Sequence, residues 1–296
     1  MDNEFMLFDR LEAIKTANGK YDLEGNAYLS FSGGKDSTIL HHLLDIALPN
    51  NRIPRVFIDT VIEYKAIREY VLALAKEDDR FHIIKPSVAI KPMLERDGYP
   101  FKSKEHSVKI GQWQKGLKSP NILKYAQIGS SFACPKKLAY QFTDEFKLKV
   151  GDKCCMNMKK KPVKRWEKEN DRHIAITGMR REEGGQRANI KGCILTDKKG
   201  NVKTFHPLLV VSDDWEDWFV KENGIRLCKL YYPPFNFKRT GCKGCPLSIN
   251  LQDQLTTMAL YLPQEREQCE LIWKPVYEEY RRIHFRLDRD EQMKLF

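Results

Sequence analysis

No stretch of the chain approaches the roughly 20 consecutive apolar residues that a membrane-spanning helix requires. Met1 leads into charged, mixed sequence rather than a basic segment followed by an apolar run. The expectation is a cytoplasmic protein with no membrane partner. Internal repeats and low-complexity tracts are also missing, so neither a solenoid nor a disordered linker is expected. Without a secretory leader, the 8 cysteines among 296 residues do not read as the disulfide framework of a small extracellular domain; they point to metal or redox use. Acidic residues are in deficit: 51 Lys+Arg against 40 Asp+Glu leaves +11. That balance favours anionic partners, nucleotides or nucleic acid, without choosing between them. Runs such as Lys159-Lys160-Lys161 are more often solvated faces than binding strips.

What is present is organised around Tyr28-Leu-Ser-Phe-Ser-Gly-Gly-Lys-Asp-Ser-Thr-Ile-Leu40. The apolar run 27–31, interrupted only by Ser30, reads as a buried strand. Ser32, Gly33 and Gly34 then turn the chain into a helix whose apolar face begins at Ile39, Leu40, Leu43 and Leu44. Two glycines let a ligand approach the backbone, and the helix N-terminus offers free N–H groups and a positive dipole end to an anion. Lys35 adds a point charge; Ser32, Ser37 and Thr38 add hydroxyls. This is a phosphate cradle, although the common Gly-x-x-x-x-Gly-Lys-Ser/Thr loop is absent. The six residues Ser32-Gly33-Gly34-Lys35-Asp36-Ser37 resemble, without a gap, the pyrophosphate loop of the ATP pyrophosphatase and sulfonucleotide reductase superfamily.

Strands at 55–58, 81–84 and 173–176 alternate with helices at 63–76 and in the loop segment, after a first helix at 5–16. The fold class expected is α/β: a parallel sheet with helices on both faces, of the adenine nucleotide alpha-hydrolase type, with a helical insertion at about 90–149 and a cysteine-rich carboxyl-terminal lobe. The domain division expected is 1–250 for the α/β domain and 251–296 for a helical extension, broken near Pro263 and Pro275. Ligands gather at the carboxyl ends of parallel strands, which puts the 32–38 loop and Asp59, with Glu63 nearby, on one rim. The 90–149 segment, where basic and aromatic residues interleave, can cover the nucleotide site, select a polymer substrate, or be ordinary amphipathic helices. A hairpin is expected at 195–202 and a helix at 213–222.

Cys154 and Cys155 are adjacent, and Cys242-Lys-Gly-Cys245 follows 87 residues after Cys155. A Cys-x-x-Cys turn directs two thiolates to one point. A vicinal pair is awkward around one small ion but suits a cubane whose corners are spread apart, so the order of preference is a 4Fe-4S cluster, then zinc, then a redox dithiol. Cys134, Cys193, Cys228 and Cys269 read as buried structural thiols. In the segment Gly178-Met-Arg180-Arg181-Glu-Glu-Gly-Gly-Gln-Arg187, three arginines follow a buried strand. Arginine forks suit phosphate or sulfate, although Arg–Glu pairing on an exposed turn is the plainer alternative.

Taken together these motifs resemble the phosphoadenylyl-sulfate and adenylyl-sulfate reductase family. Cys154-Cys155 followed by Lys159 and Pro162 looks like that family's cluster pattern, which implies a four-iron cluster on Cys154, Cys155, Cys242 and Cys245 with Lys159 beside it. The resemblance implies a nucleotide held by Ser30, Ser32, Gly33, Gly34, Lys35, Asp36, Ser37, Thr38, Asp59, Glu63, Gly178, Arg180 and Arg187. Lys35, Lys159, Arg180 and Arg181 would be the catalytic cations, and a thiol reductant such as thioredoxin the partner. The bound anion and the metal centre are expected in a single cleft. Two departures stand out. Family members read Asp-Thr-Gly where this chain has Asp59-Thr60-Val61, and the family's Glu-Cys-Gly-(Leu/Ile)-His tail, which carries the attacking cysteine, is missing. Three activities stay open: sulfonucleotide reduction; cleavage of ATP to adenylate an acceptor for sulfur transfer, as in nucleic-acid modification; and nucleotide binding without turnover.

Overall fold

The computed structural model describes residues 2–127 and 133–288. Contacts divide the chain into two compact units, each built from two separate stretches: residues 1–85 with 162–241, and residues 86–161 with 242–296.

The first unit holds the sheet. Its strands are β1 (Ala27–Ser30), β2 (Arg55–Ile58), β3 (Phe81–Ile84), β4 (Ile174–Ile176), β5 (Ile194–Thr196) and β6 (Val202–Phe205), in the spatial order β3-β2-β1-β4-β6-β5. Every pairing is parallel except β5 with β6. The α/β expectation is borne out, and β5 adds an antiparallel edge. Ala27, Tyr28 and Leu29 are all buried, as a central parallel strand covered on both faces requires. One face packs Tyr28 and Val56 against Trp166, with Ile84, Val163 and Ala175 around them. Helix α1 (Asn3–Tyr21) packs on α2 (Lys35–Ala47), whose Ile39, Leu40, Leu43 and Leu44 are fully buried. Each such side chain contributes about 1.5–3 kcal/mol of burial, so the helix behind the phosphate loop is anchored by its apolar face. The β5–β6 hairpin turns where expected: the Asp197 carboxylate accepts from the N–H groups of Lys199 (2.8 Å) and Asn201 (3.0 Å).

The second unit is helical, with Ile90–Asp97, Lys104–Trp113, Pro120–Ala126, Leu251–Tyr261 and Pro263–Arg282. Residues 128–132 of the insertion and 289–296 of the tail lie outside the described residues. Pro263 starts the last helix, as a first-turn proline can. Pro275 does not interrupt it: the helix runs through that position to Arg282. An interior proline costs about 3 kcal/mol, and burial of Trp273, Val276, Tyr277 and Tyr280 on the same helix offsets it. Among the described residues no helix is long and apolar enough to cross a membrane.

Candidate functional site: a phosphate loop and a four-thiol group

In the first unit β1 lies between β2 and β4, so the turns after these three parallel strands leave the sheet on the same rim. The loop after β1 has Gly33 in the left-handed region (φ 71°) and Gly34 as the cap residue of α2. Ser37 and Thr38 turn their hydroxyls back on the Gly34 carbonyl, each at 3.0 Å, and Ser37 Oγ also accepts from the Ser32 N–H at 3.2 Å. These bonds shape the loop from within. The Lys35 N–H donates to the Tyr231 hydroxyl at 2.9 Å, and that hydroxyl pairs with Thr240 Oγ1, also at 2.9 Å. A Cβ on Gly34 would come within 3.2 Å of both Ser32 Oγ and Tyr231 Oη. The cradle is therefore narrow and lined by hydroxyls, at the positive end of a 13-residue helix.

The turn after β4 comes close to this loop. A Cβ on Gly178 would lie 2.9 Å from Asp36 Cβ and 3.1 Å from the Asp36 carbonyl carbon, so only glycine permits the approach. Arg180 crosses there. It is buried, and its guanidinium meets four carboxylates: Asp36 (2.7 Å), Glu216 (3.2 Å), Glu182 (3.3 Å) and Asp213. Burial works against its charge, but Glu216, Asp213 and Asp36 raise its pKa above the ordinary arginine value. Arg181 is exposed and caps the carbonyls of Ile190 and Lys191, while Arg187 and Arg239 both pair with Glu183. The Lys35 ammonium lies 2.5 Å from Asp217 and 3.7 Å from Glu216, two neighbours on the helix α3 (Asp213–Glu222). Burial, and then the nearby Asp36 carboxylate, push Glu216 up to about 8.

In the second unit the four sequence-chosen cysteines act on one another. Burial and the thiols of Cys155, Cys242 and Cys245 raise the pKa of Cys154. Burial, Cys242 and Cys155 push Cys245 up to about 12, and Lys159 opposes both shifts. Cys154 and Cys155 lie in a helical turn that widens immediately into a π-helical one, Met156–Lys160, and such turns recur at functional sites. Cys242 and Cys245 lie on a knuckle whose carbonyls are held by the final helix: Trp273 Nε1 donates to Lys243 (3.3 Å), the Tyr277 hydroxyl to Gly244, and Tyr280 to Pro246 (2.9 Å). A Cβ on Gly244 (φ 60°) would strike Tyr277 and Cys269, so the knuckle seats on that helix only with glycine there. Among the described residues no three Cys, His, Asp or Glu side chains close around one point as the ligands of a single ion do. The donors are soft thiols within electrostatic reach of one another, with a lysine to balance negative charge, a set whose chemistry suits an iron–sulfur cluster or zinc.

The family model for the phosphoadenosine phosphosulfate reductase domain matches residues 26–129 and 124–248, more than half of the chain. The chain belongs to that family. The family binds adenine nucleotides, and its members are enzymes. No curated protein matches the chain. Among solved structures, a phosphoadenylyl-sulfate reductase from Candida auris in a phosphate complex is 17% identical, covers 79% of this chain and 87% of its own, and has a TM-score of 0.46. The U34-tRNA thiolase NcsA from Methanococcus maripaludis with its 4Fe-4S cluster is 13% identical over 98% of this chain and 84% of its own, with a TM-score of 0.41. FMN adenylyltransferase from Candida glabrata in complex with ATP is 12% identical over 78% and 60%, with a TM-score of 0.43.

Within this phosphoadenosine phosphosulfate reductase domain, the turn after β2 carries the departure noted at Val61. The valine does take the left-handed conformation (φ 68°), with 72% of its surface exposed. Glu63 holds the turn: its carboxylate accepts from the Thr60 N–H (2.9 Å) and hydroxyl (2.5 Å), while buried Asp59 pairs with Arg68 at 2.8 Å. A β-branched residue pays strain there. Val61→Asn, which tolerates that conformation and removes no core packing, is expected to raise stability by about 1 kcal/mol. Chemical denaturation checks it, and an unchanged or lower midpoint contradicts it.

Sequence reading chose the loop, Asp59, Glu63, the arginines and the thiols. It missed Tyr231, Thr240, Glu216 and Asp217, and the aromatic seat of the knuckle. The Tyr231-Tyr232-Pro233-Pro234 stretch carries no nucleotide signal, and Glu216 lies on the helix expected at 213–222 among other acidic residues that carry none either. Trp215 on the same helix is buried, with its indole N–H on the Asn3 carbonyl at 3.0 Å.

Proposed function

We propose that this chain cleaves ATP to AMP and pyrophosphate while adenylating an acceptor, and that Cys154, Cys155, Cys242 and Cys245 hold a 4Fe-4S cluster serving the sulfur chemistry that follows. The observation that carries the ATP reading is the state of Cys269. It is the one thiol on the helices Leu251–Tyr261 and Pro263–Arg282, and the reductase reaction would need a thiolate from such a residue or from outside. Its exposure is 0%, on the final helix, and burial pushes it up to about 12. A thiol in that setting is inert. The loop chemistry remains intact without it. The helix end, the Lys35 ammonium and the Ser32 hydroxyl suit the β- and γ-phosphates of ATP. An acceptor oxygen forms its bond to the α-phosphorus, the bond between that phosphorus and the bridging oxygen breaks, and pyrophosphate leaves with the electron pair. The developing charge falls on the leaving group, where fixed positive charge helps most. Arg180 is committed to four carboxylates, so its role is to brace Asp36 and the start of α2 while Lys35 meets the phosphate. A cluster held by all four thiols would leave no iron open to sulfur and would instead supply electron transfer to the sulfur step; Lys159 would balance its negative charge, and Trp273, Tyr277 and Tyr280 would keep the knuckle in place.

The test is pyrophosphate release from magnesium ATP by anaerobically purified protein, with and without candidate acceptors, transfer RNA included. Release that rises at least about tenfold with one acceptor supports the reading; this is the rate ratio worth about 1.4 kcal/mol of barrier. Absence of AMP and pyrophosphate with every acceptor tried counts against it. The second reading, reduction of a sulfonucleotide with an external thiol such as thioredoxin, is favoured by the family match over residues 26–248. It predicts sulfite from adenylyl sulfate or its 3′-phosphorylated form, which the first reading does not.

A further inference from the structure

Lys35 and Arg180 share one buried neighbour. Glu216 lies in the first turns of α3 with 0% exposure, its Oε2 3.7 Å from Lys35 Nζ and its Oε1 3.2 Å from Arg180 Nε. Arg180 Nε gives its hydrogen bond to Asp36 at 2.7 Å, and among the described residues neither oxygen of Glu216 takes one from Lys35 or Arg180, its hydrogen-bonding contact being with the Asp36 carboxyl. The charged groups around it are Lys35 and Asp36 from α2, Arg180 and its partner Glu182 from the turn after β4, and Asp213 and Asp217 from α3 itself. A buried carboxylate without a donor, beside a second carboxylate, is the most easily neutralised anion of the group. Lys35 sits on a flexible four-carbon stem with its side chain 15% exposed, so its ammonium can turn toward α3 or toward an anion at the loop.

We propose that Glu216 is a positioning residue for Lys35: ionised, it holds the ammonium back on α3, and protonated, it releases it to the nucleotide phosphate. The inference rests on the reading of the 32–38 loop as the phosphate site. A phosphate at Lys35 brings negative charge toward Glu216 and draws its counter-ion away, and both effects make the carboxyl harder to ionise. Nucleotide binding therefore takes up a proton. Affinity is full below the pKa of the free protein and falls as pH rises through about 8. One linked proton sets the limit at about tenfold per pH unit.

The experiment is titration of the full chain with magnesium ATP between about pH 7 and pH 9.5, above the phosphate titration near about 6. Wild-type affinity is expected to weaken about tenfold or more across this range. Glu216→Gln, which cannot ionise, is expected to bind at the tight limit throughout, within about threefold. Asp217→Asn removes the nearer carboxylate on the ammonium, 2.5 Å away and 74% exposed, so it is expected to shift affinity by the same factor at every pH and to keep the wild-type slope. A flat wild-type profile, a Glu216→Gln profile as steep as wild type, or loss of the slope in Asp217→Asn would each overturn the inference. The wild-type and Asp217→Asn curves decide even where Glu216→Gln does not fold. Tight binding with a flat profile removes Glu216 alone, whereas no ATP binding at any pH removes the phosphate site and this inference with it.

Discussion

Lys35→Ala is expected to lower kcat/KM for acceptor-dependent pyrophosphate release by about 100- to 1000-fold, the loss typical when one fixed electrostatic contact to the reacting centre is removed. The fold should tolerate the change. The Lys35 ammonium meets Asp217 and Glu216, while the residues that anchor α2 are Ile39, Leu40, Leu43 and Leu44. Lys35→Arg keeps the charge on a planar fork that matches two oxygens, and partial recovery in that variant would tie the loss to charge rather than to packing. The same logic makes Arg180 the weaker probe. Its removal would leave Asp36, Glu182, Asp213 and Glu216 without their shared cation, so lost activity there would report a collapsed carboxylate group as readily as a lost phosphate contact. A Lys35→Ala protein that releases pyrophosphate at the wild-type rate would end the assignment of the loop.

The loop, its strand and its helix were legible because each depends on neighbours in sequence. Glycines turn the chain at 33–34, a short apolar run buries itself in a sheet, and a 3.6-residue stripe follows. The hairpin at 194–205 and the 213–222 helix were legible for the same reason, with Asp197 and Ser212 marking their turns. What could not be read is what the tertiary fold collects. Arg180-Arg181-Glu182-Glu183 announces charge, but nothing local says that Asp36, Asp213 and Glu216 converge on Arg180, leaving Arg181 exposed on two backbone carbonyls. Tyr231 reaches the Lys35 N–H across 196 positions. Pro275 reads as a break and is none, because buried aromatic residues on either side of it fix the helix. Val61 stands where the family has glycine, yet Glu63 holds the turn in the conformation that glycine would take without strain.

Cys242→Ser is expected to take protein purified without oxygen from about four irons and four sulfides per chain to well below half of that, with loss of the broad visible-blue absorption. The argument lies in the donor. A serine hydroxyl at neutral pH is protonated and hard, whereas iron in such a cluster is held by thiolate, and three remaining thiols cannot complete the set. Packing predicts little else from the change, since Cys242 is only half-buried and serine is nearly its size. Cys193→Ser is the matched control, a half-buried thiol of the first unit that should keep its iron. The pKa of Cys154 is raised first by burial and then by the thiols of Cys155, Cys242 and Cys245, so this thiol resists ionisation, and a bound cationic centre is what reverses that cost. Wild-type protein that carries zinc and no iron under anaerobic purification would replace the cluster with a structural ion. Protein that carries neither, and whose four thiols react freely with an alkylating reagent, would leave the group a redox dithiol at most, and the sulfur-transfer half of the proposed function would lose its chemistry while the nucleotide half stood.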